Sequence, residues 1–397
     1  MKIKLLFVDD EPNLLQGLQR MLRGMRQDWD MAFADSGAEA LEILARRPMD
    51  VVVTDMRMPG MDGAQLLAEV QARYPHVVRI ILSGQSDRSM IIKTVKPAHQ
   101  FLAKPCDDAT LKATIERARL LRGMLEDDSL RRLVSRIDTL PSLPSLYLEV
   151  MEELQKEDAS IKRIGEIIAR DIGMTAKILQ LVNSAFFGFC RHVSSPAQAA
   201  ELLGLETLKV LVLSVQIFSR FDRARLSGLD VHRLWTHSLA VANFARTIAV
   251  KERRGEAQVN DSFMAGVLHD VGKLVMAANL AEAYGEVMET AREQGLTVWE
   301  AERRVLQVTH AEMGAYLLTL WGLPHDIVQA VAFHHEPARQ QPQEFNCLTV
   351  VHAANHLEHQ SHEPKAGPAP SPVDLEYLTT LNLGDRLDRW EWFCQAG

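Results

Sequence analysis

The chain has 397 residues, room for two or three domains, and its 47% hydrophobic and 24% charged residues match a soluble globular protein. A net charge of −8 disfavours a broad nucleic-acid-binding surface. The four cysteines form no CxxC pair, which argues against a disulfide framework or zinc ribbon. The start MKIKLLFVDDEP turns acidic too early for a signal peptide, and no apolar run reaches membrane-spanning length, so a cytoplasmic protein without membrane insertion is the expectation.

Lys4–Val8 reads as a short strand ending on Asp9, Asp10 and Glu11. Pro12 opens a helix with Leu14, Leu15, Leu18, Met21 and Leu22 on one side. A strand over Trp29–Ala34 and a helix capped by Ser36 and Glu39 follow. Val51–Thr54 is a Val-rich run that reads as a buried parallel strand, and it leads to Asp55 and a loop stopped by Pro59 and Gly60. Helices from about Ala64 to Arg73 and Arg88 to Val95 alternate with strands Val78–Leu82 and Gln100–Ala103. This alternation predicts a doubly wound α/β domain with five parallel strands.

Asp9, Asp10, Asp55, Ser83 and Lys104 all fall at strand ends, which converge in one crevice in such a sheet. Clustered carboxylates repel, and Mg²⁺, a hard cation with oxygen ligands, would relieve them. Asp55 would then accept a phosphoryl group, with Lys104 and Ser83 on its oxygens. The bland alternative, solvated loop acids, explains one such residue better than it explains an ordered set.

The DD pair Asp9–Asp10, the D-M-x-M-P-x-M-D-G run from Asp55 to Gly63, Ser83–Gly84 and Lys104–Pro105 resemble the receiver domain of two-component response regulators, over residues 1–122. The resemblance implies that Asp55 is phosphorylated by a sensor histidine kinase or another phosphodonor. It also implies that Asp9, Asp10, Asp55 and the Arg57 carbonyl surround Mg²⁺, that Ser83 and Phe101 are switch positions, and that the Lys104–Pro105 bond is cis.

Residues 109–137 keep a helical apolar stripe, Leu111, Ile115, Ala118, Leu121, Leu125 and Leu130, that overlaps the end of the first domain. A second copy in a homodimer, or the second domain, would cover it. Residues 138–360 then carry amphipathic helices without strand alternation, an all-α domain. Its polar residues His237, His269, Asp270, Lys273, His310, His334, His335 and Asn355 could converge on a cation. Imidazole and carboxylate together suit Fe, Mn, Zn or Ni, and Lys273 could steady a phosphate. Helix-end histidines with ordinary hydrogen bonds are the alternative.

The LPSLP opening, LQLVNSAFFG, LWTHS around His237, LHDVGK, HAEMGAYLLTLWGLP and His334–His335 resemble an HDOD domain, a relative of the HD phosphohydrolases. That resemblance implies a non-catalytic module that engages an unknown downstream protein or self-associates. It places His237, His269 and Asp270 at superfamily ligand positions and Asn355 where a ligating aspartate closes the set, which would weaken cation binding. The cyclic di-GMP-hydrolysing relatives carry a GYP tripeptide, whereas His335 is followed here by EPARQQP. The tail, residues 361–397, reads as a Pro-rich loop and two short helices whose Trp390, Trp392 and Phe393 pack back on the second domain, with an interface to another copy as the alternative.

The resulting expectation is a phosphorylation-controlled response regulator with a non-catalytic output domain and no direct DNA binding. A metal-dependent phosphohydrolase or cyclic dinucleotide phosphodiesterase under receiver control is the alternative.

Overall fold

The computed structural model describes the chain outside residues 85–99, 105–110, 119–126, 138–143, 157–158, 184–192, 222–225, 341–343, 362–367, 396–397 and a few single positions. It divides into two compact units, the first Met1–Asp138 with Leu318–Leu323 and the second Thr139–Leu317 with Pro324–Gly397.

The first unit is built on parallel strands β1 (Ile3–Val8), β2 (Trp29–Ala34), β3 (Val51–Asp55), β4 (Val78–Gly84) and β5 (Gln100–Lys104), in the order β2-β1-β3-β4-β5. Helices α1 (Pro12–Met21), α2 (Gly37–Arg46) and α3 (Gly63–Arg73) connect the first four strands. Every residue of β3 is buried, as a central strand covered on both faces must be. Leu6, Val8, Val52 and Ile81 pack with Ala40 and Leu44 of α2 and Leu66, Leu67 and Val70 of α3. Ser36 caps α2, accepting from Glu39 N, while the Glu39 carboxylate accepts from Asp35 N.

Described helices connect only the first four strands, β1–β4, so the expected doubly wound five-stranded sheet is described with its connections as a four-strand core to which a fifth strand is paired. The fifth segment joins at the edge by backbone pairing, Ile80↔Gln100 to Gly84↔Lys104, and the crossover helix expected over Arg88–Val95 lies outside the described residues. Of the stripe expected over residues 109–137, Leu111, Ile115, Ala118 and Leu130 are buried, while Leu121 and Leu125 fall outside. The helix α4 (Asp128–Ser135) ends this unit.

The second unit is helical among its described residues. It begins with α5 (Ser145–Leu154), α6 (Ile161–Ala169), α7 (Ile172–Val182), α8 (Pro196–Leu203) and α9 (Leu205–Phe221). There follow α10 (Val231–Lys251), α11 (Glu256–Leu268), α12 (Val271–Asn279), α13 (Ala281–Gln294), α14 (Val298–Val305), α15 (His310–Leu320), α16 (His325–Phe333) and α17 (Cys347–Gln360). Helices α18 (Leu375–Thr380) and α19 (Leu387–Gln395) close the chain. Val241, Ala245 and Ile248 of α10 share a core with Val350, Ala354 and Leu357 of α17 and with Tyr377, Leu378 and Trp390 of the tail. Trp390 is fully buried and its Nε1 donates to Glu252 at 2.9 Å, so the tail packs on this unit, whereas Trp392 stays 65% exposed.

Candidate functional site

In the first unit, β1 delivers Asp9, β3 delivers Asp55 and β5 delivers Lys104. Lys104 Nζ donates to Asp9 Oδ2 at 2.7 Å and to Asp55 Oδ1. Asp55 Oδ2 accepts the Arg57 N–H at 2.7 Å, and Asp9 Oδ1 accepts the Glu11 N–H at 3.0 Å. Burial opposes the Lys104 charge, but its bonds to Asp55 and Asp9 raise its pKa above the ordinary lysine value. Gly63 shapes the loop: a Cβ there would lie 2.1 Å from the Asp55 carbonyl oxygen, so only glycine permits this approach. Asp10 follows Asp9, half-buried. Ser83 and Phe101 have their backbones in β4 and β5, their side chains lie outside the described residues, and so does Pro105.

In the second unit, the end of α11 and the start of α12 present His269 and Asp270, and both are buried. Gly272 allows this, since a Cβ there would sit 2.0 Å from the His310 carbonyl oxygen. The tight approach brings Asp270 against α15. His237 comes from α10, His310 from the start of α15, and His334 and His335 from the end of α16.

Asp270 faces both ways. Its Oδ2 lies 3.4 Å from His269 Nε2, 3.7 Å from His237 Nε2 and 2.7 Å from Lys273 Nζ. Its Oδ1 lies 3.0 Å from His310 Nε2 and 3.9 Å from His334 Nε2. Asp270 Oδ1 and His334 Nε2 are nevertheless buried without a partner in hydrogen-bond geometry. Asp270, His310, His334 and His335 bring one ligand atom each within 4.8 Å of one another, and so do His237, His269 and Asp270.

The outer ring nitrogens explain this arrangement. His237 Nδ1 is 2.5 Å from Glu358 Oε2, His269 Nδ1 2.8 Å from the Gly266 carbonyl, His310 Nδ1 2.6 Å from Glu302 Oε2, and His334 Nδ1 2.8 Å from the Val331 carbonyl. Ionised carboxylates and carbonyls only accept, so each Nδ1 carries a proton and each neutral ring keeps its lone pair on Nε2. The Nε2 atoms of His237 and His269 are 3.2 Å apart, and those of His310 and His335 are 3.0 Å apart. Lone pairs at that separation repel unless a proton or a cation lies between them. Two nitrogens bound ~2.1 Å from one cation, at tetrahedral to right angles, stand about 3.0–3.4 Å apart. The donor set fits a borderline divalent transition metal.

At His269, His334 and His335 the electrostatics agree with that fit. Burial lowers the His269 pKa to about 3, and burial followed by the positive potential of neighbouring histidines takes His334 and His335 well below the ordinary value. These rings are neutral, the form that binds metal. Burial alone would raise the Asp270 carboxyl, but His269, Lys273 and His310 hold it well below the carboxylate range. Burial likewise opposes protonation of His310, yet Glu302 and Asp270 outweigh it and raise its pKa.

Every histidine singled out from the sequence lies in this cluster. Lys273 bonds Asp270 in this structure. Asn355 on α17 is buried, and its Oδ1 is unpartnered. Sequence reasoning missed Glu302, Glu358 and His359. Glu358 lies three residues beyond Asn355 on the same helix and brings a carboxylate to His237. With His237 and His359 it forms a further group of ligand atoms within 4.8 Å. The expectation of a purely non-catalytic second domain is therefore corrected. Asp270, His310 and His334, all buried, and the partly buried His335 place one ligand atom each close enough to hold a metal ion, with acceptors oriented behind His310 and His334, although Asn355 is neutral.

The family model of the response regulator receiver domain matches residues 5–116, and that of the HDOD domain matches residues 140–337. An uncharacterized protein of Treponema pallidum is 29% identical over 219 residues, 54% of this chain and 41% of that protein. The hydrogenase transcriptional regulatory protein HoxA of Cupriavidus necator is 36% identical over 124 residues, 31% of this chain and 25% of that protein. The chain thus spans less than half the length of these curated relatives. An HDOD domain protein of unknown function from Geobacter sulfurreducens superposes with a TM-score of 0.54 at 26% identity, covering 66% of this chain and 87% of that one. No helix among the described residues is long and apolar enough to cross a membrane.

Proposed function

We propose that this chain, a response regulator receiver domain joined to an HDOD domain, is a phosphorylation-controlled, metal-dependent phosphohydrolase of the HD type. The observation that carries the reading is the convergence of two sets of Nε2 atoms on the two oxygens of one buried carboxylate, Asp270. His237 and His269 with Oδ2 would hold one divalent cation, and His310, His334 and His335 with Oδ1 a second. Bound there, such cations act as Lewis acids toward phosphoryl oxygens. The chain's own residues do the rest. Glu358 and Glu302 keep His237 and His310 in the ligating tautomer. Lys273, with 15% of its side chain exposed, can exchange its bond to Asp270 for one to a phosphate oxygen. The substrate class is a phosphate ester, and cyclic dinucleotides are one member to be assayed.

In the receiver, Asp55 would accept the phosphoryl group from a sensor histidine kinase or another cytoplasmic phosphodonor. Asp9, Asp10, Asp55 and the Arg57 carbonyl offer the oxygen set that Mg²⁺ prefers. Lys104, already shared by Asp9 and Asp55, would move to a phosphoryl oxygen, and Ser83 and Phe101 would relay the change.

The test is metal analysis of the full chain loaded with Mn²⁺ or Fe²⁺, with turnover of bis(p-nitrophenyl) phosphate and cyclic di-GMP before and after acetyl phosphate. Retained metal and hydrolysis, both lost in Asp270→Ala, are expected. Wild-type protein that retains no metal, or hydrolysis untouched by Asp270→Ala, would overturn the reading.

A further inference from the structure

The fifth imidazole of the cluster, His335, differs from the other four. Its Nδ1 faces the Ser371 hydroxyl at 3.2 Å. Ser371 lies beyond residue 337, where the HDOD match ends. A short strap fixes it in place. Ala369 N donates to the Leu296 carbonyl at 3.0 Å, and His356 Nδ1 donates to the Ser371 carbonyl at 3.3 Å. Asp374 N donates to His352 Nε2 at 2.9 Å, and His352 Nδ1 donates in turn to the His334 carbonyl at 2.7 Å. The strap is therefore tied to the backbone of the neighbouring ligand.

A hydroxyl differs from a carboxylate or carbonyl in one respect: it can donate as well as accept. When Ser371 donates to Nδ1, the His335 proton sits on Nε2, 3.0 Å from His310 Nε2. When Ser371 accepts from Nδ1–H, the His335 Nε2 lone pair is free for a cation. The other four rings have no such choice. Trp299 stacks on His335 with ring centroids 5.7 Å apart and planes 19° from parallel, so exchange of tautomer needs only the hydroxyl to turn and the ring stays in place.

We propose that Ser371 is a positioning residue for His335, and that its two-way hydroxyl makes the Asp270–His310–His334–His335 cation position the exchangeable one of the two. This rests on the metal-dependent reading above. The closing experiment is Zn²⁺ titration calorimetry of the metal-free full chain, with ¹⁵N-histidine NMR to read the His335 tautomer. Wild type should bind Zn²⁺ in two steps, the weaker one accompanied by a change of His335 from Nε2–H to Nδ1–H. Ser371→Ala should weaken that step ~10–100-fold, the range for losing an outer partner of a metal ligand. Ser371→Asp, which only accepts, should tighten it and give Nδ1–H even without metal, and Ser371→Thr should restore wild-type behaviour. Two steps unchanged by Ala and Asp, or one His335 tautomer with and without Zn²⁺, would overturn this inference and leave the metal reading standing. A wild-type chain that binds no Zn²⁺ would overturn both.

Discussion

Asp55 and Asp270 are both carboxylates that gather positive charge, but their surroundings differ in kind. Asp55 ends a strand, keeps part of its side chain in contact with solvent, and meets a lysine and a second acid. Asp270 lies between helices, 1% exposed, facing imidazoles of which four have their outer nitrogens committed to carboxylates or carbonyls. The first arrangement suits a hard, loosely held cation and a group that must come and go. The second suits a borderline cation that stays, because the cost of burying the carboxylate is offset only when positive charge remains beside it.

Removing each acid in turn and reading both sites should give the largest effects. Asp55→Ala should abolish labelling by acetyl phosphate, seen as loss of the retarded band on a phosphate-affinity gel, and leave the metal content of the second domain unchanged. Asp270→Ala should do the reverse. Loss of metal in Asp55→Ala would show that the sites are not chemically separate.

Next in size are the two glycines. An added Cβ would meet backbone oxygen at 2.1 Å in Gly63→Ala and at 2.0 Å in Gly272→Ala, contacts that only main-chain displacement relieves. Each substitution should cost about 3 kcal/mol, the upper end for overpacking. Hydrogen exchange should localise the loss to β3 and α3 in the first case and to α12 and α15 in the second. A loss spread evenly over the whole chain would count against a local origin.

Chelation should separate the domains more gently. A cation at one hundred times its dissociation constant stabilises the state that binds it by ~2.7 kcal/mol. A chelator should therefore lower the calorimetric transition of the second domain, while the transition of the first is unmoved in Mg²⁺-free buffer. If neither transition moves, the histidine cluster does not store folding energy as bound metal.

Much of both sites was legible because the residues sit in compact sequence runs. Asp9, Asp55 and Lys104 each follow an apolar strand, and parallel strands bring such ends together whatever lies between them. His269–Asp270 and His334–His335 are adjacent pairs at helix ends. The supporting shell was not legible. Glu302 sits in VWEAERRV, where an acid looks like part of a solvated face, yet it is fully buried because α14 turns it toward His310. Glu358 hides in HLEHQ in the same way. A search one helical turn past Asn355 for the missing carboxylate would have found it. Ser371 stands in a Pro-rich tail, and nothing local marks it as a histidine's partner.

Glu302→Gln gives the smallest and most discriminating effect. Glu302 accepts from His310 N at 2.7 Å and from His310 Nδ1 at 2.6 Å through one oxygen, and from Tyr284 at 3.1 Å through the other. Glutamine can keep this pattern: its carbonyl still accepts from His310, and its amide donates to Tyr284, whose hydroxyl accepts equally well. Shape and hydrogen-bond count survive, so only the charge behind the imidazole is lost. The fold should therefore stay near wild-type stability, while metal affinity at the position that includes His310 falls ~10-fold or somewhat more, as when a ligand's carboxylate partner is neutralised. Titration calorimetry beside thermal unfolding of the metal-free protein reads both quantities. A large loss of stability without change in metal affinity would mean that Glu302 serves the helix packing and not the cation, and the parallel between Glu302 and Glu358 as carboxylates standing behind ligands would fail with it.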